Sequence, residues 1–167
     1  MIRGLGAAPV IAGTAHIAFR AQLVVPEQRQ LYDYWIEKAA DRAMPDRGDI
    51  NPAHIPRLLP SISLIDVDPA NGGCKIRLAG TRLRDVYDRE ITGLSIADLD
   101  FGDKHDYWMA AFRRTIEEGK PTQGVVRGPT LHKGHLVQYW LKLPLSRRRP
   151  FNRNCGRSGS LFRGRES

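Results

Sequence analysis

Across residues 58–146 the hydrophobic pattern runs strand, strand, irregular helix, long helix, strand, strand. That order confines the chain to an antiparallel α+β arrangement in which a helical crossing of about forty residues separates two hairpins. After Ser146 the pattern stops. Arg147-Arg-Arg-Pro-Phe-Asn-Arg-Asn-Cys-Gly-Arg-Ser-Gly-Ser160 alternates with neither the strand nor the helix period.

The first hairpin is read from residues 61–67, rich in β-branched side chains, the loop Asp68-Pro-Ala-Asn-Gly-Gly73, and residues 74–79, which alternate apolar and polar. Residues 81–100 read as short, irregular helix, with Leu83, Val86 and Tyr87 on one side and Gly93 as a break. Over residues 104–119, Tyr107, Trp108, Ala111, Phe112, Thr115 and Ile116 recur at helical spacing, Gly119 is placed to cap and Pro121 forbids continuation. The second hairpin joins residues 122–127 to residues 135–145 through His132-Lys-Gly-His135. In its latter strand Val137, Tyr139, Leu141 and Leu143 share one face, and Gln138, Trp140 and Lys142 the other.

Upstream, residues 1–26 are rich in small residues, and Pro9, Thr14 and His16 break an apolar run too short to span a bilayer. A disordered or mobile leader, or a start codon read too early, is expected there. Residues 27–60 are expected to hold an amphipathic helix, with Leu31, Tyr34, Trp35 and Lys38 at spacings of three and four, followed by a connector in which Asn51 caps a short turn.

A length of 167 residues with 41% apolar and 26% charged residues is that of one globular domain. The net charge of +8 is uneven: residues 1–146 hold 19 basic and 17 acidic side chains, whereas residues 147–167 hold seven arginines and one glutamate. The balanced body offers no basic stripe for nucleic acid, which is therefore not the expected partner. Cys74 and Cys155 lie far apart without a Cys-x-x-Cys pair, which fits a reducing, cytoplasmic setting and no structural metal site.

The runs Leu31-Tyr-Asp-Tyr-Trp35, Met44-Pro-Asp-Arg47, Arg57-Leu-Leu-Pro60, Ile62-Ser-Leu-Ile-Asp-Val67, Arg77-Leu-Ala-Gly-Thr81 and Thr92-Gly-Leu-Ser-Ile-Ala-Asp-Leu99 resemble a family of compact bacterial PAS domains. The resemblance covers roughly residues 28–146. It implies an α+β fold with a five-stranded antiparallel sheet in the order 2-1-5-4-3, helices on one face, a signal received near that face, and output through a signalling partner or a homodimer. The core is expected over residues 61–146, and the fifth, central strand is expected to be missing or degraded. Ser160-Leu-Phe-Arg163 is short and flanked by Gly159 and Gly164, poor strand interiors. Asp88 departs from the glycine that the family places there. Residues 147–167 are thus read as a disordered basic tail, with two origins open: a genuine tail, or an altered reading frame in which arginine codons replace a turn and strand.

An aromatic and aliphatic set, Leu64, Ile76, Tyr87, Trp108, Phe112, Tyr139 and Leu141, either lines a cavity for a small apolar ligand or fills a core. Leu31, Tyr34 and Trp35 either form a seam with a partner subunit or dock on the chain's own sheet. His132 and His135 read as turn residues rather than metal ligands, and His105 as a solvated helix-start residue rather than a haem ligand. No cofactor is assigned and no catalytic motif is present, so a sensory or adaptor domain without catalysis is expected. The alternative from another class is a basic-tailed nucleic-acid-binding protein.

Overall fold

The computed structural model describes residues 8–130, 132–147 and 159–166. The regular elements are α1 (Ala8–Gln22), α2 (Pro26–Ala39), β1 (Ile62–Val67), β2 (Cys74–Ala79), α3 (Thr81–Tyr87), α4 (His105–Glu118), β3 (Thr122–Arg127), β4 (Val137–Leu145) and β5 (Gly159–Glu166). Single turns of tighter helix sit between them; in one, the Asn51 side chain accepts from the Ala53 amide at 3.0 Å and Pro52 occupies the first position. Helix α4 ends where Gly119, at φ +60°, sends its amide back to the Thr115 carbonyl.

The strands form one antiparallel sheet in the order β2-β1-β5-β4-β3. The loop joining β1 to β2 is built by its own side chains: the Asp68 carboxylate accepts from the Ala70 amide at 2.8 Å, Asn71 Oδ1 accepts from the Gly73 amide at 2.7 Å, and Gly72 takes φ +71°.

The central strand expected to be missing or degraded is present in the last part of the tail. β5 pairs with β1 from Asp66↔Gly159 to Ile62↔Arg163, and with β4 from Leu145↔Gly159 to Gln138↔Glu166. The reason that no side-chain pattern announces it is that a ladder is made by backbone groups, which glycine and arginine supply as well as valine. The expectation of a disordered tail is corrected for these residues. Residues 148–158, with Cys155, lie outside the described residues.

Helices cover both faces of the sheet, not one. Along β4 every residue from Trp140 to Leu145 is buried. Its odd-numbered Leu141, Leu143 and Leu145 pack with Leu31, Tyr32 and Trp35 of α2 and with Ile55, Leu58 and Ile62. On the other face Trp140 packs with Trp108 and Phe112 of α4, Leu83 of α3, and Ile65 and Ile76 of the sheet. Two apolar faces need two helical layers to exclude water.

The leader is also corrected. From Ala8 to Gln22 the chain is helical, and α1 turns back onto α2: the Phe19 ring packs tilted against Tyr32 with centroids 5.0 Å apart, His16 Nδ1 lies 2.9 Å from the Tyr32 hydroxyl, and Arg20 clasps Asp33 at 2.6 and 2.8 Å. Leu23 and Val25, which join the two helices, are buried. Alanine-rich sequence has high helix propensity, and contact with α2 supplies the stability that a short lone helix lacks. Residues 1–7, where the expectation of an early start codon falls, lie outside the described residues.

Candidate functional site

Four of the seven expected cavity residues meet on the α4 face of the sheet. Ile76 from β2, Tyr87 from α3, and Trp108 and Phe112 from α4 line a cavity of about 20 Å³, together with Ile65, Leu83, Ile91, Ile96, Leu99, Phe101 and Ser63. A cavity of that size holds about one water molecule. Its walls are apolar apart from the Ser63 hydroxyl and the Tyr87 phenol, and loss of solvent pushes that phenol upward.

Leu64, Tyr139 and Leu141 are not in it. Leu64 and Leu141 pack on the α2 side, and Tyr139, two residues before Leu141 in β4, projects to that same side. Their neighbours Ile65 and Trp140 take the positions facing α4. In β1 two large apolar residues stand side by side, and the pairing with β2 shifts register between Leu64 and Ile65. In β4 the alternation itself was legible, and the structure adds that the face carrying Gln138, Trp140 and Lys142 is buried as well.

Lys142 is not in the cavity's lining but lies against the Trp108 and Phe112 rings that are. It has no solvent exposure, and its Nζ lies 3.8 Å from the ring centroid of Trp140, 4.4 Å from that of Phe112 and 4.6 Å from that of Trp108. Cation–π attraction favours the ammonium there, but dehydration opposes it. Burial wins, holding this amine well below the ordinary lysine range, with a smaller opposing influence from Cys74. The half-buried Cys74 thiol is pushed up by its own burial.

Trp140 is held in place from two sides. Its Nε1 donates to the Tyr107 hydroxyl at 2.8 Å. Across the sheet, Gly124 of β3 lies beneath its ring: a Cβ there would stand 2.5 Å from Trp140 Cζ2, so only glycine leaves the indole room.

Beyond Phe112 lies an outer groove of about 440 Å³ between the β1–β2 loop and α4, lined by Gly73, Cys74, Ser95, Met109, Arg113 and Ile116 among others. Phe112 and Ile96 line both spaces and form the wall between them.

Leu31, Tyr34 and Trp35 are core residues rather than a seam with a partner. All three are buried within the chain. The Trp35 indole donates to the Pro144 carbonyl of β4, and the Tyr34 hydroxyl accepts from the Asn51 amide at 2.9 Å. The alternative of docking on the chain's own sheet is the observed one, because α2 lies directly over the leucines of β4.

His105, His132 and His135 are exposed. Among the described residues no three histidine, cysteine or carboxylate side chains come together as metal ligands, and no helix is long and apolar enough to cross a membrane.

A family model described as "PAS domain" matches residues 23–149. The match spans α2, the connector, both hairpins and both helices between them as one unit. No curated protein matches the chain.

Proposed function

The chain belongs to the PAS domain family, and from that premise we propose that it is a cytoplasmic bacterial sensory or adaptor domain that binds a small apolar ligand and signals through a protein partner or a second copy, without catalysis. The observation that carries the reading is the thin wall between the inner cavity and the outer groove, where Phe112 and Ile96 separate two spaces that would together accommodate a drug-sized molecule. In the closed form the inner cavity is too small for any organic ligand. Binding therefore requires displacement of the Phe112 ring, and with it α4 against the sheet. Ligand occupancy is in this way coupled to a shift of a helix whose outer surface is available to a partner.

The test is organic extraction of protein purified under native conditions, followed by mass spectrometry. A specific apolar compound recovered from the wild type and depleted in Phe112→Trp, which overfills the wall, is the expected result. Recovery of nothing, together with no uptake of added aromatic probes, overturns the reading.

The basic-tail alternative finds less support, since residues 163 and 165, two of the tail arginines, lie within the central strand β5. Retention of the protein on nucleic acid that survives to moderate salt would favour that alternative.

A further inference from the structure

Three arginines from distant parts of the chain converge on one carboxylate near the end of β1. Asp66, two residues after Leu64, stands on the α2 side of the sheet, opposite the inner cavity. Arg47 Nη1 lies 3.3 Å from Asp66 Oδ1, Arg77 Nη1 lies 3.4 Å from Oδ2, and Arg147 Nη2 lies 3.6 Å from Oδ1.

Backbone geometry assembles the group. The Arg47 amide donates to the Ser146 carbonyl at 2.9 Å, and Asp46 bridges to Ser146, so Arg47 and Arg147 leave the backbone side by side. The turn that carries Arg47 is fixed by its own side chains: Asp46 accepts from the Gly48 amide at 2.9 Å, and Asp49 from the Asp46 amide at 2.8 Å. Arg77 is the residue left over where the pairing of β1 with β2 changes register, with Leu64 facing Leu78 and Ile65 facing Ile76. A bulge of that kind re-aims a side chain.

One carboxylate does not satisfy three guanidiniums. Asp66 has two oxygens to share among them, and its contacts are longer than the 2.6 and 2.8 Å at which Arg20 grips both oxygens of Asp33. Three positive charges against one negative leave a surplus of two. Burial lowers the pKa of Arg47, and Arg77 and Arg147 lower it further against the opposing pull of Asp66. The trio thus repels itself, yet it is open to solvent: the side chains of Arg47, Arg77 and Arg147 are 28%, 51% and 55% exposed.

We propose that Arg47, Arg77 and Arg147 form a binding site for a phosphate dianion, free or as the monoester of a small molecule. The inference goes beyond the sensory reading and does not rest on it. A phosphoryl group offers three oxygens, one for each guanidinium fork, where a carboxylate offers two. Its charge near neutral pH approaches two negative units, which matches the surplus. Asp66 is the internal counter-ion that keeps the forks convergent while no ligand is bound, so that ordering them costs the ligand little.

The experiment titrates the full chain with phenyl phosphate and with inorganic phosphate by calorimetry, near neutral pH and at constant ionic strength, with benzoate as the carboxylate control. Saturable binding of at least one phosphate and none of benzoate is the expected result. Arg77→Gln and Arg147→Gln, at half-exposed side chains, should each weaken it about tenfold while keeping the wild-type melting transition. Arg57→Gln removes the same charge from an exposed position outside the cluster and should leave binding unchanged. Binding of phenyl phosphate alone identifies an ester-bearing ligand, and binding of inorganic phosphate alone identifies the free ion; either supports the site. No binding of either phosphate, equal binding of benzoate, or an equal loss in Arg57→Gln overturns the proposal. The contrast between phosphate and benzoate is made in the wild type, so it stands even where a variant fails to fold.

Discussion

The indole Nε1 of Trp35 donates to the carbonyl oxygen of Pro144 at 2.8 Å, joining α2 to β4 across 109 residues of chain. Both partners are buried, so removing the donor leaves a carbonyl without its water or its indole. Trp35→Phe is expected to lose about 2–3 kcal/mol and Trp35→Ala about 3–5 kcal/mol, read from urea denaturation midpoints. A loss below about 1 kcal/mol for the alanine variant would place α2 outside the folded core.

Two glycines should respond in opposite directions to the same substitution. A Cβ on Gly80 would stand 2.4 Å from the carbonyl oxygens of both Leu59 and Pro60, backbone atoms that cannot move aside, so Gly80→Ala is expected to prevent or severely weaken folding. Gly13 in α1 has nothing within 4 Å of that position. Gly13→Ala should raise stability by about 0.5–1 kcal/mol through helix propensity, measured by thermal unfolding.

Glu90 accepts hydrogen bonds from Thr92 and from Arg84, which hold its carboxyl at about 2 against an ordinary value of 4.5. A carboxylate depressed in the folded state contributes stability that is complete above the ordinary value and is lost as pH falls through about 2. Glu90→Gln should flatten the acid limb of a stability–pH profile over that window and leave the neutral region less changed. An unaltered acid limb, or a Glu90 carboxyl resonance titrating near its ordinary value in NMR, would contradict this.

For Lys142 the sign is reversed. Its amine holds protons less tightly folded than unfolded, so stability rises with pH from the lowered folded value up to the ordinary 10.5, where the penalty vanishes. Lys142→Met should remove that slope and stabilise the protein near neutral pH by about 1–3 kcal/mol. A profile between neutral pH and pH 10 in wild type and variant measures both effects.

Truncation after Arg147 removes β5 and strips the inner edges of β1 and β4 of their hydrogen-bonding partners. The shortened chain is expected to lose cooperative unfolding and to aggregate, seen by calorimetry and light scattering. A truncated monomer with a wild-type melting transition would exclude β5 from the native sheet.

Which parts of this were legible in the chain follows from how far each signal reaches. The α4 stripe from Tyr107 to Ile116, the cap at Gly119 and the Asp68–Gly73 turn are local, set by residues a few positions apart, and they were readable. Leu64 against Ile65 and Tyr139 against Trp140 were not, because a one-residue difference in strand phase sends a side chain to the opposite face, and both faces of this sheet are covered. The same double cover turned Leu31, Tyr34 and Trp35 inward and made Lys142 a buried group.

From α2 to β4 the sequence alone determined the order of helices and strands and the turns between them, since those rest on periodicity and on the backbone preferences of glycine, proline and asparagine. The tertiary structure alone decided that β5 stands between β1 and β4, that α1 folds onto α2, and that an amine sits among three rings. Those outcomes come from backbone hydrogen bonds and burial between segments as much as a hundred residues apart, which no local pattern encodes.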